Sequence, residues 1–401
     1  MKKIFLMSSF TLFLAFVSLF GNNVATKIAT KPTTAYALQT DSVASDALNL
    51  RCKSAYCMDA NSKTTVYAQN QTQRLPIASM CKIMTLILCF DAIESGKMDY
   101  TTVIPVSEHA MSMGGSQVYL EAGGTYTADR LMESVTVCSA NDACVALAEY
   151  IAGSDSLFVQ KMNQRAKDLG CENTLFSNCT GLPKEPQYSC ALDVALMLKE
   201  LIRHEKYFEY CKIWTDEFEH PEGRTTLITN TNKLIRHYKG CDGGKTGFTN
   251  EAGFCLAATA KRGDMRIISV CIGASTSKER FSAVSELFNY SFTNFSDREV
   301  IPVQPLDEKL TVNKAKKEQI EVVPERAVRY FCKNGEENTN ISHSVELYDV
   351  CAPLKKGQKV GELTVFKDGV AYDSVAILSA EDVEKASFWD YCKKVADGWA
   401  L

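Results

Sequence analysis

The chain has 401 residues, 46% hydrophobic and 23% charged, which is enough apolar material for two ordinary globular domains and too much for a disordered chain. Its formal net charge of −4 leaves no cationic excess to replace phosphate counterions, which argues against a general nucleic-acid binder. The five histidines, at 109, 204, 220, 237 and 343, show no His-Glu-x-x-His spacing, so a zinc hydrolase is not expected, nor any metal or cofactor.

In chain order, Met1-Lys2-Lys3 followed by the apolar run Ile4 to Phe20 reads as a secretory leader. Ala35-Tyr36-Ala37 has the small-x-small form of a cleavage site, and Asn23-Val24-Ala25 is nearer but poorer. A retained transmembrane helix is the alternative, the run of roughly 17 residues being close to the lower limit for spanning. Removing residues 1–37 takes away four lysines and no acid and leaves 40 basic against 48 acidic residues, a net −8.

Residues 50 to 295 mix helical and strand periodicities, whereas 298 to 378 read mainly as short β-branched strands. Thr127 opens an amphipathic helix carrying Leu131, Met132 and Val135, and Asn141-Asp142 opens another carrying Val145, Leu147, Ala148 and Ile151. Ser139-Ala140-Asn141 therefore falls between two helices. Phe254 to Ala260 and Met265 to Ile272 flank Lys261-Arg262-Gly263-Asp264 as an antiparallel hairpin, which predicts a sheet-centred domain covered by helices. Ile320–Val323, Val345–Val350 and Val360–Val365 predict a small β unit. Ser379 with Asp382 reads as a capping box opening a terminal helix. Phe388, Cys392, Val395 and Trp399 form one of its faces, suited to core docking or to a membrane interface.

Sixteen cysteines in an exported chain suggest disulfides, yet this chain is too large to need stapling. Cys81, Cys89, Cys138, Cys144, Cys255 and Cys271 each sit in an apolar stretch, and no pair has Cys-x-x-Cys spacing. Mostly free buried thiols, as in a cell living without oxygen, are the main expectation, with some surface disulfides as the alternative.

Ser79 and Lys82 stand three apart after Pro76, in an apolar segment that reads as a helix start. Burial disfavours an ammonium, and a neutral lysine can take the serine proton without a histidine. Taken alone this is an ordinary helix with an incidental lysine. The same spacing recurs in Ser275-Thr276-Ser277-Lys278, expected to be only a solvated turn. Two further motifs change the reading: Ser139-Ala140-Asn141, and Lys245-Thr246-Gly247 after Gly243-Gly244. The three, in this order, form the set that active-site serine enzymes use against peptide or lactam carbonyls. Ser139 can pass a proton to the leaving amine, and Asn141 can orient substrate amides. Lys245 and Thr246 suit a terminal carboxylate, and Gly247 permits close backbone approach. Gly244-Lys245-Thr246 is not the end of a phosphate loop, because position 239 is Lys where that loop requires Gly.

With these motifs, and with Gly114-Gly115-Ser116, Ser139 to Glu149, Asn173 to Leu182 and Gly247 to Gly253, the chain resembles the D-alanyl-D-alanine carboxypeptidases, the low-molecular-weight penicillin-binding proteins. The resemblance implies an α/β (α+β) transpeptidase-like domain over 38–295, with a central antiparallel sheet flanked by helices. It implies a β-rich domain over 298–378 and an amphipathic membrane anchor over 379–401, which favours the interfacial reading of the last helix. The implied activity is removal of the terminal D-alanine from peptidoglycan stem peptides at the outer face of the cytoplasmic membrane, with β-lactams as covalent inhibitors. Ser79 would be acylated with Lys82 as base, the amides of Ser79 and Phe248 would form the oxyanion hole, and Arg280 would help hold the substrate carboxylate. Phe248 departs from relatives that carry histidine there, and Cys81 and Cys138 beside the motifs suggest sensitivity to thiol reagents, with burial that leaves them inert as the alternative. An endopeptidase that cuts cross-links uses the same nucleophile. A β-lactamase would need a deacylating glutamate, and Glu172-Asn-Thr-Leu175 ends in Phe176 instead of the usual asparagine. A silent peptidoglycan-binding protein would not need the intact motif side chains.

Overall fold

The structure, a computed structural model, describes residues 48–336 and 340–398. The expected leader and both cleavage sites lie outside these residues, as does Trp399. Among the described residues no helix is long and apolar enough to cross a membrane.

A five-stranded antiparallel sheet organises the region that carries the motifs. Its order is Thr65–Gln69, Ser54–Asp59, Met265–Ala274, Gly253–Arg262 and Cys241–Thr249. Successive side chains along a strand leave by opposite faces, and here both faces are covered, so the strands read as near-continuous apolar runs. Tyr56, Met58, Ala257, Ile268, Val270 and Ile272 face a core filled by the helices Lys82–Glu94 and Ala191–Leu201. Ala55, Cys57, Leu256, Ala258, Ile267 and Cys271 face the helix Ser277–Asn294, which buries Val284, Leu287 and Phe288 against them. Ten of the thirteen residues of Lys82–Glu94 are buried, the pattern of a helix surrounded by protein.

The expected hairpin is present, with strands that run to Arg262 and Met265 and leave Gly263-Asp264 as the turn. Thr127 caps the helix Ala128–Val137 by accepting from Arg130 N, and Asn141–Ala152 follows after a three-residue link. Ser275-Thr276-Ser277-Lys278 is not only a solvated turn. Ser275 and Lys278 are exposed, but Thr276 accepts from Glu279 N at 3.1 Å and starts an 18-residue helix.

Beyond this helix the chain is β-rich, and Phe295–Ile301 pairs with Val328–Lys333. A six-stranded sheet follows, built on Leu310, Val322, Val360, Leu363, Val375 and Ile377. Val345–Val350 is not one strand: Ile341–Leu347 ends before Tyr348-Asp349, and Val350–Cys351 joins the opposite edge beside Val312. Asp349 accepts from Asn313 Nδ2 at 2.6 Å, which holds the turn that aspartate favours over a strand.

The terminal helix starts later than expected, at Phe388. Ser379 is buried at the end of the strand Val370–Ser379, donates to Glu381 O, and leaves Asp382 to accept from Lys356 N. The same three-residue spacing at Ser387 and Asp390 makes the capping box, Ser387 N donating to Asp390 Oδ2 at 2.8 Å and Asp390 N to Ser387 Oγ at 3.2 Å. Ser379 loses this competition because residues 380–386 still bridge to the sheet region, Val383 with Leu354 and Lys385 with Ala315.

Candidate active site

Three segments converge on Ser79. The first is its own: Ala78, with φ +48°, turns the chain into a short 3₁₀ segment, Ala78–Cys81, that runs into the helix Lys82–Glu94. Ser79 is half-buried, and Lys82 is wholly buried one turn on. Lys82 Nζ lies 3.0 Å from Ser79 Oγ, 2.6 Å from Asn141 Oδ1 and 2.5 Å from the Thr180 carbonyl. The last two groups only accept, so an amine that donates to both keeps a lone pair for the serine proton when it is neutral. Burial holds the Lys82 pKa below the ordinary lysine value, in favour of that form.

The second segment links the helices Ala128–Val137 and Asn141–Ala152. Ser139 is buried with φ +68°, a left-handed conformation that costs a non-glycine residue on the order of 1 kcal/mol or more. Asn141 N donates to Ser116 O at 2.7 Å and Asn141 Nδ2 to Gly114 O at 2.6 Å. Asp142, fully buried, accepts from the amides of Val118 and Leu120, so this helix start also holds the loop that follows Gly114.

The third segment is the edge strand Cys241–Thr249. Lys245 is buried and donates to Ser139 Oγ at 2.8 Å and to the Thr246 carbonyl at 3.1 Å. Thr246 Oγ1 donates to Thr231 Oγ1 at 2.8 Å. Gly247 lies against the nucleophile's backbone: a Cβ there would stand 2.7 Å from Ile77 O, closer than side chains approach, and a tight 3.1 Å from Ser79 N. This brings the amides of Ser79 and Phe248 onto adjoining stretches of backbone. The Phe248 ring is half-exposed and packs on Phe254 with centroids 4.3 Å apart. Arg280 sits behind the strand, donating to Gly247 O at 3.1 Å and Cys255 O at 3.3 Å, and its buried Nε has no partner.

Lys82, Lys245 and Arg280 thus crowd three cationic groups into buried positions, and none of the hydrogen-bond partners just named is a carboxylate. Burial pulls all three pKa values down, and the Lys82 charge adds to the effect on Lys245. These buried basic groups stand beside the Ser79 hydroxyl and the adjoining backbone of Ser79 and Gly247.

Comparison with known proteins shows the family of the chain. Residues 40–276 match the family described as D-alanyl-D-alanine carboxypeptidase, and residues 295–385 match the C-terminal domain of penicillin-binding protein 5. The chain belongs to the D-alanyl-D-alanine carboxypeptidase family. It is 38% identical to the Bacillus subtilis D-alanyl-D-alanine carboxypeptidase DacF over 86% of this chain and 90% of that one. Among solved structures, a peptidoglycan synthesis regulatory factor (PBP3) from Streptococcus pneumoniae superposes with a TM-score of 0.71 at 27% identity, covering 84% of this chain and all of that one. Penicillin-binding protein D2 of Listeria monocytogenes, in its ampicillin-bound form, matches 61% of this chain and 98% of its own at 30% identity and a TM-score of 0.52.

This D-alanyl-D-alanine carboxypeptidase is a serine peptidase whose expected site residues stand together, with two differences of placement. Asn141, expected on the substrate, has Oδ1 on Lys82 and Nδ2 on Gly114. Arg280, expected on the substrate carboxylate, donates to the Gly247 carbonyl. Sequence reasoning missed the Asn178–Gly181 loop as part of the site. Asn178 Oδ1 accepts from the amides of Thr180 and Gly181, Thr85 Oγ1 donates to Cys179 O, and Gly181 at φ +82° packs so tightly that a Cβ would fall 2.0 Å from Ala78 O. The signal was present in Asn173 to Leu182, which carried family likeness without a named role.

Twelve of the sixteen cysteines are buried, and no disulfide is formed among the described residues. Cys81 donates to Asn178 O, and Cys138 donates to Ser134 O with its pKa pushed up by burial to about 12. Neither is an activated thiolate, which works against the expected sensitivity to thiol reagents.

Proposed function

We propose that the enzyme is exported and removes the terminal D-alanine from peptidoglycan stem pentapeptides through an acyl-enzyme on Ser79, and that penicillin acylates the same serine. The observation that carries this reading is the environment of Lys82: two pure acceptors and the Ser79 hydroxyl around one buried amine. Lys82 takes the Ser79 proton as Oγ attacks the penultimate D-alanine carbonyl. The developing oxyanion accepts from the amides of Ser79 and Phe248. The C–N bond breaks as Ser139 relays to the departing nitrogen the proton that Lys82 received. Water then gives a proton to the freed Lys82 as it attacks the ester, and that proton returns to Ser79 Oγ as the acyl group leaves. Lys245, Thr246 and Arg280 supply the positive side of the terminal carboxylate's site, Arg280 by steadying Gly247. The ampicillin-bound Listeria relative supports β-lactams as ligands of the same fold. Glu172, the residue a β-lactamase reading would need, is exposed on a turn.

The leader at residues 1–37 and the terminal helix support action outside the cytoplasm. In the helix Phe388–Gly398, Phe388 and Trp389 are about three-quarters exposed and Val395 is also open, as suits an interfacial anchor on the outer face of the membrane. The reading is tested by following free D-alanine from a diacyl-Lys-D-Ala-D-Ala peptide with the native protein and with Ser79→Ala. Release by the native protein and none by the variant is expected. A folded native protein that neither releases D-alanine nor binds labelled penicillin would overturn it.

A further inference from the structure

Thr246 presents a hydroxyl that is almost wholly buried and already spoken for: its proton goes to Thr231 Oγ1, 2.8 Å away. A carboxylate only accepts hydrogen bonds, so it can engage Thr246 only by receiving that proton. The hydroxyl must then rotate, and a lone pair of Thr246 Oγ1 turns toward Thr231. A carbonyl or a methyl group opposite it would offer that lone pair no donor. An alcohol does not, because Thr231 can return a proton of its own across the same oxygen–oxygen separation.

Thr231 is also held where this exchange requires it. Its amide donates to the Val137 carbonyl at 3.0 Å, at the end of the helix that leads to Ser139. On either side, Asn230 Nδ2 donates to the carbonyls of Cys211 and Ile213, Asn230 Oδ1 accepts from Asn232 N, and Asn232 Nδ2 reaches Gly243 O on the strand of Lys245. Thr231 thus joins the Ser139 segment to the Lys245–Gly247 segment at the level of the carboxylate.

We infer that Thr231 is a positioning residue of the carboxylate subsite, a hydroxyl that accepts from Thr246 in the free enzyme and donates to it when the substrate's terminal carboxylate binds. No covalent bond changes; two hydroxyl protons rotate. In the bound state Thr231, Thr246 and the carboxylate form a chain in which each hydrogen bond strengthens the next. The inference rests on the proposed carboxypeptidase reading and deepens it.

The test uses the full chain with Thr231→Val, Thr231→Ala and Thr231→Ser, and measures KM and kcat for D-alanine release from diacyl-Lys-D-Ala-D-Ala. The carboxylate is held alike in the ground and transition states, so loss of the relay raises KM and spares kcat. Valine and alanine are expected to raise KM about 3- to 10-fold, the range for one hydrogen bond, with kcat within about twofold. Serine is expected to behave as the native residue. Alanine carries the test should valine disturb packing, and full labelling by penicillin at saturation certifies an intact site. Native-like KM in both alanine and valine variants, a fall in kcat at constant KM, or equal damage from serine would each overturn the relay. Failure of the native protein to release D-alanine or to bind penicillin would instead overturn the reading beneath it.

Discussion

Burial lowers the Lys82 pKa, and Asn141 is the neighbour that offers its amine an acceptor without a charge. An aspartate at 141 would set a carboxylate where Oδ1 now stands, 2.6 Å from Nζ, and favour the ammonium. Because burial holds the Lys82 pKa below its ordinary value, the base is freed as pH rises through that lowered pKa, and acylation rises with it. Asn141→Asp is expected to move this ascending limb to higher pH and to cut the acylation rate at neutral pH at least about tenfold. The check is the rate of penicillin labelling against pH; an unmoved limb would remove Lys82 as the base. At this scale the sequence displayed Ser79, Lys82, Ser139 and Lys245 through their spacing. It hid the contact from Asn141 to Lys82, which spans 59 positions, and the Thr180 carbonyl, because a backbone acceptor has no side-chain signature.

Local patterning located the elements where short-range chemistry decides, as at Thr127 and the Gly263-Asp264 turn. It failed where the same signal occurs twice. Ser379-Asp382 and Ser387-Asp390 are equally good capping boxes, and only tertiary pairing of residues 380–386 chooses the second. The loop Asn178–Gly181 is the element whose importance was least visible. Gly181→Ala would introduce a left-handed alanine with its Cβ 2.0 Å from Ala78 O, beside the nucleophile. A loss of about 2–4 kcal/mol in stability is expected, together with a large loss of penicillin labelling. Denaturant unfolding and labelling of the same preparation check both, and native-rate labelling would separate this loop from the nucleophile's cradle.

Across the whole molecule, the sheet and the β-rich region meet at a set of charges, of which Asp59 and the side chain of Asp297 are buried. Arg329 binds Asp297 at 2.9 Å and Asp264 at 3.2 Å, and Tyr372 Oη accepts from Phe331 N. Asp59 lies buried at the end of its strand, with Oδ2 accepting from Asn61 N and Ser62 N while Oδ1 has no partner. Burial, with a smaller push from Asp297, raises its pKa to about 6 from 3.8. The folded state therefore holds this proton more tightly than the unfolded chain. The resulting stabilisation is full below 3.8 and is lost as pH rises through about 6, a decline of up to about 3 kcal/mol. Asp59→Asn keeps an acceptor for the amides and removes the buried charge, so it is expected to raise Tm at pH 8 and leave it nearly unchanged near pH 4. Equal destabilisation at both pH values, in thermal melts, would contradict the assignment. None of this junction could be read from spacing, because its charges come from distant strands.

The proposed mechanism turns on which oxygen becomes acylated. The native protein is treated with penicillin, digested, and its peptides are weighed by mass spectrometry. One adduct per chain on the peptide containing Ser79, absent from Lys82→Ala after the same brief exposure, is the predicted result. An adduct on Ser139, on the Ser275–Lys278 segment, or on no serine at all would contradict the central claim.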